Sequence, residues 1–335
     1  MKHAKEVSGM RVRRCVLVLL PVLSMGCIFG HDVDNKGNPA YRTKGDILLS
    51  YDKDHHGLIT VHDDVKHIGS NAFYGCKYVT HIYMHHGIES VGDHAFQDCI
   101  GLTKMSFPVS VTNIGRFAFA GCGALKSVDL PHNLEIVSGA VFWGCRSLAH
   151  IQIPIHVKRI GELAFARCWQ LNEIHIPANV RRIERCAFID CTALKALDFS
   201  EGTTSIGESA FAGCVSLERV VMPASLRELG DNAFSRCKRL KYVEFLGAVP
   251  AVNDFSSVFT TDDVPLVKVE KVYWHDTGCV RFPQIVERGN EMPIEPIKVV
   301  VPGYAEEEWR VIEKKCNDSK TSNRRKITLC FRHGN

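Results

Sequence analysis

The stretch Ile206-Gly-Glu-Ser-Ala-Phe-Ala-Gly-Cys-Val-Ser-Leu217 decides the fold, because its skeleton of Ile-Gly, Ala-Phe, Cys and Leu returns along most of the chain. The phenylalanines fall at Phe73, Phe96, Phe119, Phe142, Phe165, Phe188, Phe211 and Phe234, each 23 residues after the last without a slip. Self-similarity at a fixed period of this size is the mark of stacked coils, each touching only its neighbours. A chain of 335 residues could otherwise hold two or three domains. The period replaces that count with one elongated array.

Working outward from the phenylalanine, Leu lies six places on at Leu102, Leu125, Leu148, Leu171, Leu194, Leu217 and Leu240, with Val79 in the first copy. Nine and eleven places on come aliphatic pairs such as Ile151/Ile153, Ile174/Ile176 and Val220/Met222. Apolar residues two apart predict a short strand with one buried face. Pro108, Pro131, Pro154, Pro177 and Pro223 end it, since proline offers no N–H to a ladder. His85, Ser200 and Leu246 stand where the other copies have that proline. A second aliphatic and then Ile114, Ile160, Ile183 or Ile206 follow, with Gly115, Gly161 and Gly207 behind three of them, which predicts tight corners. Ser138 and Glu184 replace this glycine in two copies. Ala72, Phe73 and Cys76, and their equivalents, share one side of a predicted short helical turn on the convex face. The same phase reaches back to Ile59, Val61, Val65 and Ile68, which gives nine strand rows from Ile59 to Phe245. Parallel rows about 4.8 Å apart make a strand face roughly 40 Å long.

Fourteen cysteines would ordinarily point to a disulfide scaffold or a metal protein, but eight of them occupy one position of the repeat, from Cys76 to Cys237. That spacing has no C-x-x-C geometry, and stacked side chains point in parallel, so buried free thiols are expected. His81-Ile-Tyr-Met-His85-His86 lies on a strand and corner with no Glu between the rings, so no metal is expected there. A net charge of +4 is too mild to imply nucleic acid. No nucleophile elbow, phosphate loop or dinucleotide fingerprint follows a suitable strand, so neither an enzyme nor a cofactor is expected.

The pattern Leu-x-x-Ile-x-Ile-Pro-x-x-Val-x-x-Ile-Gly-x-x-Ala-Phe-x-x-Cys-x-x-Leu resembles the BspA-like leucine-rich repeat, also called the Treponema pallidum-type repeat, over residues 59–256. The resemblance implies an α/β leucine-rich repeat solenoid, with a parallel sheet on the concave face and short helical turns on the convex face. It also implies a bacterial surface or secreted protein that adheres to host matrix or plasma proteins.

Basic Met10-Arg-Val-Arg-Arg14, followed by the apolar run Cys15 to Cys27, predicts an export signal over residues 1–26, whether translation starts at Met1 or Met10. Leu23-Ser-Met-Gly-Cys27 resembles a lipoprotein lipobox. Two readings stay open: acylation of Cys27, or ordinary cleavage near Gly26 or Gly30 that leaves a soluble periplasmic or secreted protein. Residues 27–58 read as a tether and N-terminal cap, because a solenoid must cover its end strand. Residues 257–335 read as a C-terminal cap and basic tail, since periodicity fails after Phe245. The next phase falls on Ser257, between Phe255 and Phe259. Cys316 and Cys330 flank the polar stretch 317–326 and form a candidate disulfide.

Recognition is expected at the exposed strand positions, eight and ten places after each phenylalanine, from His81/Tyr83 to Tyr242/Glu244. Tyr83, His150, Gln152, Glu173, His175, Ala196, Arg219, Val221 and Tyr242 are the candidate partner-binding residues. An apolar strip beside charges suits a protein partner. Trp143, Trp169 and Ile189 mark a second candidate surface on the convex side. The expected molecule is a monomer that meets a membrane only through a lipid anchor. The alternatives are a periplasmic scaffold for envelope proteins and a small-molecule or metal-binding module.

Overall fold

The computed structural model describes residues 40–248, 250–253, 257–259, 274–275, 278–279, 297–302, 310 and 327–332. The export signal, Cys27, Cys316 and the basic stretch 317–326 lie outside the described residues. Each repeat is one coil, and three backbone ladders tie it to its neighbours.

The first ladder is the predicted concave sheet. Its rows are Gly57–Thr60, Val79–Tyr83, Lys104–Ser106, Ser127–Asp129, His150–Ile151, Glu173–Ile176, Ala196–Phe199, Arg219–Met222 and Tyr242–Phe245. Pairing is parallel and in register at the repeat period, as at His175 opposite Asp198 and Val220 opposite Val243, and it runs in three stretches that break between Val79–Tyr83 and Lys104–Ser106 and between His150–Ile151 and Glu173–Ile176. The sheet does not stop with the repeats. Ile297–Pro302 pairs in parallel with Tyr242–Phe245, and Ile327–Arg332 pairs with Ile297–Pro302, which sets Cys330 opposite Val300.

The second ladder runs through what the sequence marks only as corners. Two-residue strands such as Ser90–Val91, Asn113–Ile114, Arg159–Ile160 and Arg182–Ile183 pair in parallel along the flank. The glycine behind the aliphatic is required by closeness: a Cβ on Gly115 would lie 2.5 Å from Asp93 N, and one on Gly161 would lie 2.7 Å from Gly139 N. Where Glu184 replaces this glycine, its carboxylate turns aside to accept from Arg159 Nη1 at 2.9 Å and from Glu162 N at 3.0 Å.

The third ladder corrects the expectation of helical turns. Among the described residues the convex face carries no helix; it is a stack of β-turns. The residues two before and two after each phenylalanine have φ between 52° and 73°, from Asn71 and Gly75 to Asn232 and Arg236. These left-handed residues flip alternate peptides. Cys76 N bonds within its turn to Phe73 O at 3.1 Å, whereas Phe73 N reaches the next coil at Ala95 O, 2.7 Å away. N–H groups that a helix would spend on its own carbonyls join one repeat to the next.

The core follows from the period. Rings of consecutive phenylalanines from Phe73 to Phe234 stack with centroids 5.0 to 5.6 Å apart and planes within 20°. Tyr51 stacks on Phe73 at 5.1 Å and closes the column at the N-terminal end. Its strand, Ile47–Tyr51, is covered in turn by antiparallel Tyr41–Lys44. At the other end Phe259 stacks on Phe234 at 6.0 Å, and Val258 O accepts from Phe234 N at 2.9 Å. Val258 and Phe259 therefore take the Ala-Phe places two residues later than phase predicts.

The repeat cysteines are buried free thiols, as expected. Each from Cys99 to Cys237 directs its S–H at the phenylalanine carbonyl of the preceding coil, 3.1 to 3.4 Å away. Burial pushes the Cys76 thiol up to about 12 and raises its fellows, including Cys145 and Cys168, well above the usual range.

Candidate functional site: the concave strand face

Alternation along each strand sends one set of side chains into the core and the other outward, so the eight-place and ten-place positions form two columns on one face. Parallel register sets each column one coil from its neighbour, within reach of side-chain contact. The candidate residues fall into three groups. His150 Nδ1 lies 3.5 Å from Glu173 Oε1. His175 Nδ1 lies 2.8 Å from Asp198 Oδ2, and its Nε2 is 3.3 Å from Ser200 Oγ.

In the third group, the Arg219 guanidinium sits 4.6 Å over the Tyr242 ring, and its Nη2 is 3.3 Å from Glu244 Oε2. Tyr242 Oη donates to the same carboxylate oxygen at 3.0 Å. Glu244 corrects the expectation that its position is open. It is 6% exposed, because Arg219 and Tyr242 draw its carboxylate in and a further strand places Val300 opposite it. Burying a carboxylate without such partners is costly. The aromatic and the guanidinium are thereby held in one arrangement.

The remaining candidates are placed but not gathered. Tyr83 is 57% exposed near the N-terminal end. Gln152 and Ala196 are exposed between the clusters, and Val221 is half-buried. The ion pair of Lys104 with Asp129 at 3.3 Å, one strand row from His150, occupies the same two columns. The serine beside His175 is not among the sequence candidates; its only signal in the sequence is that it replaces a proline.

On the convex side Arg146 lies 4.6 Å over the Trp169 ring and Arg167 lies 5.8 Å over Trp143. The flank carries a shallow trough of about 530 Å³ lined by Asn133, Glu135, His156, Lys158, Asn179 and Arg181. Lys158 Nζ there lies 2.9 Å from Glu135 Oε2.

The pattern described as the BspA type leucine rich repeat region matches the chain in six copies, over residues 53–172 and 158–261. No curated protein matches. Among solved structures, the Treponema pallidum leucine rich repeat protein is similar at 25% identity with a TM-score of 0.48, over 56% of this chain and 87% of that one. The pneumococcal vaccine antigen PcpA is similar at 17% identity and a TM-score of 0.41, over 88% of each chain. A leucine rich cell surface protein of Faecalibacterium prausnitzii is similar at 21% identity and a TM-score of 0.31, over 62% of this chain and 89% of that one. With six matching copies spanning well over half its length, the chain belongs to the BspA-type leucine-rich repeat family.

Proposed function

We propose that this is an exported protein that binds a protein partner across its concave strand face, and that host matrix or plasma proteins are the partner class. The observation that carries the reading is the Arg219–Tyr242–Glu244 cluster. Arginine and tyrosine are, with tryptophan, the side chains most often dominant in interfaces, and here both are fixed before any partner arrives. Fixing them in advance lowers the ordering cost of association. The basic and apolar leader at residues 10–27 supports export, with Cys27 as the proposed lipid attachment point.

The test is where the protein sits in intact cells of its source. External protease should degrade it without prior disruption of the envelope, and the leader should be absent from the mature chain. Protection until the outer membrane is opened would remove host proteins from the proposal and favour envelope partners.

A further inference from the structure

One corner of the stack departs from the repeat at every position. Ser200-Glu-Gly-Thr203 stands where the flanking coils have Pro177-Ala-Asn-Val180 and Pro223-Ala-Ser-Leu226. The departure is built in. Thr203 is fully buried and donates its Oγ1 hydrogen to Val180 O at 2.9 Å. Gly202 takes a φ of 132°, and any Cβ there would overlap Ala178 O. The Glu201 carboxylate accepts from Ala224 N at 2.9 Å and Ser225 N at 3.1 Å, while Gly202 N donates to Ser225 Oγ at 2.8 Å. Ser200 N is bonded to Ile176 O at 2.9 Å. Ser200 therefore sits on a loop anchored to both neighbouring coils.

The side chains on this corner form an ordered relay. An ionised Asp198 can only accept, so the Nδ1 that faces it carries the hydrogen. The lone pair of Nε2 is then aimed at the Ser200 hydroxyl, 3.3 Å away. Carboxylate, imidazole and hydroxyl stand in the order that activates a serine, with the base oriented by a third group. Glu201 N, the amide following the serine, makes no hydrogen bond among the described residues.

We propose that Ser200 is an activated nucleophile that accepts acyl groups from esters or thioesters, with His175 as general base and Asp198 as the residue that positions it. Ser200 Oγ attacks the carbonyl carbon while its proton passes to His175 Nε2. The bond from that carbon to the leaving oxygen or sulfur breaks, and the leaving group takes the proton from Nε2. Water, deprotonated by the same imidazole, then releases the acid and restores the serine. His175 and Asp198 are exposed on an open face, so the acyl group need not enter a pocket and can be borne on a large molecule.

This goes beyond partner binding and does not depend on it, because a small probe reads it directly. A fluorophosphonate, which loses fluoride as its phosphorus bonds to a serine oxygen, is added to the full-length native protein, and the adduct is mapped by peptide mass spectrometry. An adduct at Ser200 is expected, with none in Ser200→Ala. It should form roughly 100-fold more slowly in His175→Ala, slow again in Asp198→Asn, and disappear in urea. Ser200→Ala keeps the backbone N–H that bonds to Ile176 O and so is also the folded control without a nucleophile. Absence of the adduct from the native protein, or an unchanged rate in His175→Ala, overturns the proposal. Binding through Arg219 and Tyr242 is measured with other variants, so either idea can fail alone.

Discussion

Each repeat cysteine from Cys99 onward sits buried in the core with its thiol hydrogen on the phenylalanine carbonyl of the preceding coil. Such a thiol stays protonated, whereas in the unfolded chain it ionises near pH 8.5. The folded value lies above the unfolded one. Thiol protonation therefore contributes its full stability below about pH 8.5 and loses it as pH rises toward the folded values, which for Cys76 is about 12. Each thiol ionised only in the unfolded chain costs about 1.4 kcal/mol per pH unit. The urea midpoint should hold steady between pH 7 and about 8.5 and then fall steeply. In Cys168→Ala the fall in stability should be shallower by about 1.4 kcal/mol per pH unit. A midpoint unchanged to pH 11 would mean that the thiols are reached by solvent. The burial of these residues was legible from their phase. Their bond to the carbonyl was not, because it depends on where the neighbouring coil directs its peptide.

At the scale of the element, the convex turn is where sequence and structure part. Ala, Phe and Cys at neighbouring places fit one side of a helical turn, but the positions two before and two after the phenylalanine are left-handed in all eight coils. Part of the signal was present in Gly75, Gly121, Gly144 and Gly213, with Asp98 and Asp190, all at the second of these places. The first place holds Phe117, Ala140 and Leu163, which have no such preference. Inter-coil hydrogen bonds hold these residues there against their local cost. Gly144 offers a clean test, because a Cβ on it would meet nothing closer than 3.9 Å at its φ of 71°. Gly144→Ala should lower stability by about 1–2 kcal/mol through backbone conformation alone, as read from urea denaturation. A neutral or stabilising substitution would point to a right-handed turn.

At the largest scale, the repeats from Ile59 to Phe245 form a one-dimensional array whose recurring residues describe only its interior. The phenylalanine period and the strand pattern therefore disclosed the sheet, its register and its concave face, but the second strand ladder looked like a corner because its strands are two residues long. The outward columns were equally legible as positions. Their grouping was not: Arg219 meets Tyr242 and Glu244, two places apart on one strand, only because parallel register sets its strand beside theirs. The same holds for His175, which register sets opposite Asp198 and within reach of Ser200. Recognition by the concave face is checked by binding of the purified mature protein to immobilised fibronectin, fibrinogen and laminin. Saturable binding to at least one is predicted, weakened roughly tenfold or more by Arg219→Ala or Tyr242→Ala and unchanged by Trp143→Ala on the opposite side. No saturable binding to any of the three, or a loss caused by the Trp143 variant and not by the concave ones, would contradict it.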